Sequence, residues 1–581
     1  MTALPIESIL PQLHSTLLEH NRVLIVAPPG AGKSTHLPLS LLKQATDEHG
    51  QIWLLEPRRV AAEQVARRLA SALEQTLGDS IGLITGDFSK TGKRNQIVVM
   101  TEGVFAQKLL SDNEIPHCHT VIFDEFHERS LHSDLGLALA TQCQEYLRDD
   151  LNIIIMSATL DSSALVDKVN ASLIESEGRR FPVTQHYAIK KPELHLEQNM
   201  ANLIQSALKQ HDGDILVFLP GIKEISKTQA LLNDSLSSAQ TNPPLILPLH
   251  GQLANQEQQT VLKPNPQRKI ILSTDIAKTS LTIEGVTVVI DSGLERQARF
   301  NTQNAMDELI TVQASQASMI QRAGRAGRLQ AGDCYRLLSD EAFNTRKPFS
   351  LNAIELSDLT PFSLSLGAWG SFNLDDYLLL NQPDQNRYQN SLALLQQLDA
   401  IDQSNDSVLA LSEHGKTLSE FSIHPRLAHM LNAINDETLL YSACLVAAIL
   451  SEGDPLHFRE PNSDLSVRLA LFMDRQSSHS FPKYFEGASV KYNLAKRITK
   501  LTERLANQLH VKQKIINPEA SGLLCMLAYP DRLAQKRGNG YRMRSGKGVK
   551  VMDRDALKLT DFLAIAHVSS HSSFNHTSSH S

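Results

Sequence analysis

Apolar residues recur in this chain in two rhythms. In the first half they come as short unbroken runs at 22–27, 51–55, 96–100, 119–123 and 152–156, and again at 214–219, 244–248, 269–273 and 286–291. Runs of that length without alternation predict strands buried on both faces, as in a parallel sheet covered by helices. The segments between carry helical spacing, as from His36 to Leu42. Two α/β domains in tandem are expected. One covers 1–185 and closes near Phe181-Pro182-Val183; the other covers 191–345, after a charged, irregular linker at 190–196. Residues 293–313 alternate and predict an antiparallel hairpin. From about 350 the rhythm turns helical, with one helix near 392–401, a small turn and wing at Leu409–Ser412 and Gly415, and a buried helix at Leu439–Leu450. That run is too short to span a bilayer. A mostly helical region is expected over 346–510, the start of a C-terminal domain over 511–560 that turns β-rich past Gly538, and a Ser/His-rich tail over 561–581 without residues for a core.

The strand at 22–26 runs into Ala27-Pro28-Pro29-Gly30-Ala31-Gly32-Lys33-Ser34-Thr35, and a helix follows. Strand, Gly-rich turn and helix form the context of a P-loop. Gly30, Ala31 and Gly32 bring backbone N–H groups close to phosphates, at the positive end of the helix. Lys33 reaches the outer phosphates, the hydroxyl of Ser34 ligates Mg²⁺, and Thr35 completes the loop. Ala27 replaces the usual first Gly. The strand at 119–123 ends in Asp124-Glu125-Phe126-His127. Asp124 is placed for a second Mg²⁺ contact, Glu125 to activate water, and His127 to sense the nucleotide. By itself an acidic pair after a strand is more often a helix N-cap. Ser157-Ala158-Thr159 ends the next strand and gains meaning only from its order after the acidic motif. Far downstream stands Gln321-Arg322-Ala323-Gly324-Arg325-Ala326-Gly327-Arg328. Arg325 and Arg328, three residues apart, are expected on one helical face as arginine fingers, with Gln321 one turn earlier to position water. Gly324 and Gly327 permit close approach.

In this order the residues resemble the DEAH-box branch of the superfamily 2 helicases, and within it the bacterial HrpB-type ATP-dependent helicases. Asp124–His127 matches the namesake motif, with Phe126 for the usual Ala. Glu56-Pro57-Arg58-Arg59-Val60-Ala61-Ala62, Thr101-Glu102-Gly103, Leu219-Pro220-Gly221, Ser273-Thr274 and Thr279–Ile283 match further motifs, as do Asp291–Arg296, His424–Leu431 and Leu527–Arg532. The resemblance implies two tandem RecA-like P-loop domains with Mg·ATP between them. It also implies winged-helix and helical-bundle domains beside a nucleic-acid channel, and a chain that normally continues further, making the C-terminal domain here a truncated one. Under it Arg58, Arg59, Thr101 and Thr274 grip a single strand, RNA or DNA on the residues alone and RNA by the likeness. Two departures stand out. Asp275 and Lys278 occupy positions where the family has Asn and Glu, and the two changes are expected to act on one another; Gly82–Asp87 lacks an expected basic residue.

The formal charge of −7 argues against a nucleic-acid partner until its distribution is read. Between Lys483 and Lys550, 15 Lys and Arg stand against 4 Asp and Glu, with Tyr484, Tyr492 and Tyr541 among them. Such a segment suits phosphate contact and base stacking, or else a solvated helical face. Five scattered cysteines without a CxxC spacing suggest reduced thiols in a cytoplasmic protein and no zinc site. No signal peptide or membrane segment is expected. The composite expectation is an ATP- and Mg²⁺-dependent helicase. Its rival is a nucleic-acid-binding protein with impaired turnover, motivated by the Asp275 and Lys278 changes and the abrupt tail.

Overall fold

The computed structural model describes residues 4–28, 30–44, 50–86, 88–158, 162–176, 181–188, 195–236, 243–253, 255–278, 283–301, 306–328, 330–403, 409–478 and 480–568. Thr159, Thr279–Thr282, the linker at 190–194 and the Ser/His-rich stretch from Ser569 onward fall outside the described residues.

Eight strands build the first sheet: β1 Arg22–Val26, β2 Gln51–Glu56, β3 Ile81–Thr85, β4 Phe88–Lys90, β5 Ile97–Thr101, β6 Cys118–Phe123, β7 Asn152–Ser157 and β8 Ser172–Glu175. Their order is β4-β3-β5-β2-β6-β7-β1-β8, parallel throughout except for β4 at the edge. The five expected strands are the central, fully buried ones. Of the three that the apolar pattern did not reveal, β4 and β8 lie at the edges, where fewer neighbours demand apolar side chains, and are exposed throughout and half exposed; β3 is mostly buried, but Gly82 interrupts its short apolar run.

A second parallel sheet holds β9 Val183–Tyr187, β10 Asp214–Phe218, β11 Leu245–Leu249, β12 Lys269–Ser273, β13 Val286–Asp291 and, further on, β16 Gly332–Arg336, in the order β11-β12-β10-β13-β16-β9. Here the expected boundary at 185 is corrected, because it cuts β9. That strand is polar (Val-Thr-Gln-His-Tyr) because it lies at the sheet edge, where His186 pairs with Asp333 at 2.7 Å and stacks on Tyr335. As expected, β14 Leu294–Asn301 and β15 Met306–Gln313 pair with each other. A second correction concerns the arginines. The helix Gln316–Ala323 stops before Arg325, and the chain continues in tight turns in which Arg325 N–H donates to Arg322 O at 3.0 Å. Arg325 and Arg328 therefore do not share a helical face. Gly327 explains the tightness: a Cβ there would lie 2.6 Å from Phe181 O and from Val183 Cγ2. At Gly324 the nearest atom would be 3.4 Å away.

The chain divides into two compact units. The first comprises Met1–Arg299, Leu309–Ser357 and Asp375–Gln382, and so contains both sheets; the second comprises Phe300–Glu308, Asp358–Leu374 and Pro383–Ser581. The second unit is mainly helical, with a small antiparallel pair, β17 Ile401–Gln403 and β18 Leu409–Leu411, where the wing was expected. Gly415 follows because a Cβ there would meet Ala400 O at 2.1 Å. The apolar run at 439–450 lies in the buried helix Glu437–Glu452. Three short strands, β19 Leu456–Phe458, β20 Tyr484–Phe485 and β21 Ala488–Val490, form a separate sheet in the order β19-β21-β20. The C-terminal sheet holds β22 Leu533–Arg537, β23 Gly540–Met543, β24 Gly548–Val549 and β25 Phe562–Ala564. It begins before Gly538, and β25 falls where only a coreless tail was expected, so the start of that tail is corrected as well. The sequence stretches 424–431 and 527–532 meet through a bidentate pair, Arg426 to Asp531 at 2.6 and 3.1 Å. All five cysteines are buried, unbridged thiols. Among the described residues no helix is long and apolar enough to cross a membrane.

Two stability predictions follow from this packing. Gly327→Ala is expected to destabilise by about 1–3 kcal/mol through overpacking, and Gly324→Ala by less than about 1 kcal/mol; urea unfolding of the two variants checks the order. Glu102, buried at the start of the helix Glu102–Ser111, accepts a hydrogen bond from Ser130 Oγ, the cap of the helix Leu131–Tyr146. Burial is the main cause that pushes its carboxyl up to about 7 from about 4.5. The neutral acid is then the form suited to the fold, so its contribution is complete below pH 4.5 and is lost as pH rises through 7. Glu102→Gln mimics that form. The variant's stability relative to the unsubstituted protein is expected to rise by on the order of 2–3 kcal/mol between pH 4.5 and 8; a flat difference across that range would exclude the assignment.

Candidate functional site

The site begins where β1 ends. Gly30 and Gly32 have φ of +85° and +96°, a backbone conformation that glycine adopts without strain. Gly32 is also close-packed, since a Cβ would lie 3.0 Å from Ile6 Cγ2 and Leu4 Cδ1. The N-terminal segment thus braces the loop from behind, with Ile6 N–H donating to Ala31 O at 3.1 Å. The buried Lys33 turns back and donates to Ala27 O at 2.8 Å. Ala27 fills the first-glycine position without disturbing that contact. Ser34 hydrogen-bonds the carboxylate of Asp124, whereas the Thr35 hydroxyl points back to Gly32 O at 3.5 Å.

Asp124 and Glu125 leave the end of β6 with Glu125 in the left-handed region at φ +48°. That geometry lets Asp124 Oδ1 accept the Glu125 N–H at 2.7 Å. Phe126 in place of Ala is anchored by packing: its ring meets Phe123 edge-on, Phe123 meets Phe105, and Phe105 meets Trp53. His127 is reached from both sheets. Its Nδ1 lies 3.4 Å from Glu125 Oε2 and accepts Ala158 N–H at 3.4 Å, while Gln321 Nε2 of the second domain lies 2.8 Å from its Nε2. Gln321, expected to hold water, is thus engaged with His127.

Electrostatics bind these groups into one site. Burial alone would raise Glu125, but Lys33, His127, Arg325 and Arg328 together outweigh it and hold the carboxyl below its ordinary value. Burial, then the neighbouring Arg328, lowers Arg325 well below the usual guanidinium range, and burial lowers Arg328 to about 10. The buried Arg325 and the partly buried Arg328 thus act on Glu125, with Glu128 also acting on Arg325, and guanidinium groups so placed suit a phosphate. On the other side, burial and then Glu125 push Asp124 up to about 6, and its Oδ2 is buried without a hydrogen-bond partner. That oxygen with the Ser34 hydroxyl is a donor set fitted to a hard divalent cation such as Mg²⁺. Glu56, at the end of β2, is driven well above the ordinary carboxyl range by burial and then Asp124. Sequence reading passed over this third acid, although a carboxylate closing an apolar strand was a signal.

The expected strand contacts lie at carboxyl ends of strands. Arg58 and Arg59 follow β2, Thr101 closes β5, and Thr274 follows β12. Arg58 and Thr101 start helices without a side-chain capping bond, which leaves those N-termini suited to phosphate. Arg58 meanwhile pairs with Glu128 at 3.0 Å. The expectation that Asp275 and Lys278 compensate one another is corrected. Asp275 pairs with Arg322 at 2.9 Å, and Arg322 is buried among Asp291 at 2.7 Å, Glu295 at 3.3 Å and Leu294 O at 3.2 Å. The charge of Lys278 instead acts on His127, and its carbonyl accepts from Arg325 Nε at 3.0 Å. One loop is therefore tied twice to the arginine turn.

Comparison with known proteins agrees with this geometry. The DEAD/DEAH box helicase model matches residues 8–167 and the helicase conserved C-terminal domain model matches 197–330. The chain is 36% identical over 568 residues to the ATP-dependent RNA helicase HrpB of Escherichia coli (strain K12), covering 97% of this chain and 66% of that protein. It is 32% identical over 461 residues to the ATP-dependent RNA helicase HrpA homolog of Haemophilus influenzae, covering 78% of this chain and 35% of that protein. The chain thus spans about two thirds of the HrpB relative and about a third of the HrpA relative. The crystal structure of the Escherichia coli DEAH/RHA helicase HrpB superposes with a TM-score of 0.84 at 36% identity, covering 96% of this chain and 68% of that one. A two-domain phosphate site matched along nearly the whole sequence leads to one conclusion: the chain belongs to the DEAD/DEAH box helicase family.

Proposed function

We propose that this chain is a cytoplasmic ATP-dependent RNA helicase or translocase that turns ATP hydrolysis between its two sheets into movement of a single strand. The observation that carries the reading is the convergence of Lys33 from the first sheet, and Arg325 and Arg328 from the second, on the single carboxylate of Glu125. Lys33 and the backbone N–H groups of Gly30–Gly32 hold the triphosphate. Ser34 and Asp124 are the residues for Mg²⁺, which when bound neutralises phosphate charge. Glu125, kept ionised by its cationic neighbours, takes the proton of the attacking water. Gln321 and His127 link the two domains beside it. Arg325 leaves the Lys278 carbonyl for the phosphate, where with Arg328 it stabilises the developing charge. Because Asp275 and Lys278 join the loop before Thr279–Thr282 to the arginine turn, movement of Arg325 is felt along that loop. Arg58, Arg59, Thr101 and Thr274 hold the strand at the ends of their sheets. The pairing of Asp275 with Arg322 gives the unusual aspartate a partner, which favours turnover over the binding-only alternative.

ATP hydrolysis measured with RNA, with DNA and with neither tests the reading, together with displacement of a labelled strand; equal rates in all three conditions would remove it. Glu125→Gln is expected to lower turnover by about 10²-fold or more with ATP binding retained. Arg325→Ala and Arg328→Ala should each lower it by roughly 10³-fold. For the loop, Asp275→Asn and Lys278→Glu act on different partners, so their effects on ΔΔG‡ are expected to add within about 0.5 kcal/mol, whereas Asp275→Asn and Arg322→Lys should couple by more than that.

A further inference from the structure

Part of the positive excess in the second unit lies on one helix. The helix Tyr492–Gln508 buries Ala495, Ile498, Leu501, Thr502, Leu505 and Ala506. Its opposite, exposed face carries Tyr492, Lys496 and Lys500, four residues apart and hence in line. Successive members of that line are about 6 Å apart along the axis. Tyr492 is 50% exposed and Tyr484 on β20 is 61% exposed, large areas for aromatic rings. Each ring carries a lysine: Lys496 Nζ is 4.4 Å from the centre of Tyr492, and Lys483 Nζ is 5.5 Å from that of Tyr484. Both rings are held in place. Tyr492 meets Phe481 edge-on at 6.2 Å, and Tyr484 lies in strand pairing with Ser489, two residues before Lys491. Lys491, next to Tyr492, lines a cleft of about 390 Å³ that also contains His457 and Arg459. Among the described residues, Lys483, Lys491, Lys496 and Lys500 make no ion pair with a carboxylate.

We infer that Tyr484, Tyr492 and the Lys496–Lys500 face form a binding track for single-stranded RNA, with bases on the two tyrosines and phosphates on the lysines. The inference rests on the RNA-binding reading above and adds a place of contact outside both sheets. A solvated basic face would account for the lysines. It does not account for two half-exposed tyrosine rings, each with a lysine close by, which offer stacking surface within a phosphate-attracting field. A flat apolar partner is disfavoured by the ammonium over each ring.

The test is anisotropy of a labelled single-stranded RNA oligonucleotide with the full chain, titrated across salt. Lys496→Glu with Lys500→Glu should weaken binding about 10-fold or more at low salt and flatten the slope of log affinity against log salt by about 1.4, two contacts at about 0.7 each. Tyr484→Ala, alone and with Tyr492→Ala, should weaken binding by about 5-fold or more and leave the slope unchanged. Lys209→Glu with Lys223→Glu changes net charge equally on helices of the second domain and should bind as the unsubstituted protein does. ATPase without RNA should be unchanged in all of them. If the unsubstituted protein binds RNA while the tyrosine and lysine variants match it, or while the control loses as much as they do, the track is wrong and the helicase reading stands. If the unsubstituted protein binds no RNA, both fall.

Discussion

The structure depends on a cluster of interacting charges at the place where its two parallel sheets meet. Arg325 is buried and Arg328 partly so, close enough for Arg328 to disfavour the charge of Arg325, and Glu125 is an acid that acts on both. In a medium of low polarity such charges are costly unless each is paired or hydrogen-bonded. Across the same site, Asp124 carries a buried oxygen without a hydrogen-bond partner, and Glu56 is forced toward its neutral form. Under the function proposed above, Mg·ATP would meet both halves together, with phosphate beside the arginines and a cation beside Asp124, and its binding would bear on the relation between the two sheets.

That arrangement explains where tight packing is required. Gly32 is compact because the N-terminal segment braces the phosphate loop, and Gly327 because the chain leading into β9 crosses directly over it. The left-handed backbone at Glu125 holds the acid away from the end of β6, a local strain supported by the aromatic series from Phe126 to Trp53. Substituting Phe for Ala at 126 adds to this support rather than to the chemistry.

Arg322 is the structural counterpart of Arg325 and Arg328, the arginines proposed to meet the nucleotide. Three carboxylates hold it, from the loop after β12, from β13 and from β14, and so it joins three segments of the second domain. Asp275 contributes one of the three, which gives a physical role to a residue that stood out against the family pattern. The loop it begins is tied again through Lys278 O to Arg325. Rigid ties at both ends of a short loop are a means of passing a side-chain movement to its far end.

Much was legible in the sequence because the chemistry is local. A strand that ends in a Gly-rich turn, an acidic pair after an apolar run, and arginines spaced by glycines each act within ten residues, so their order along the chain pointed to the candidate site. The central strands were legible because burial on both faces leaves no choice of polar side chain. Edge strands were not: β4, β8 and β9 keep polar residues, and only hydrogen bonding to a distant neighbour makes them strands. For the same reason the domain boundary was misplaced, since β9 pairs with β16 some 145 residues later. The tertiary structure alone decided that Asp275 meets Arg322, that Gln321 meets His127 and that Arg325 leaves the helix, because each depends on side chains brought together from separate strands. The sequence by itself determined which residues carry charge and which form the central strands. Their pairing, and so the cluster of Lys33, Glu125, His127 and the arginines, came from how two sheets close on a common site.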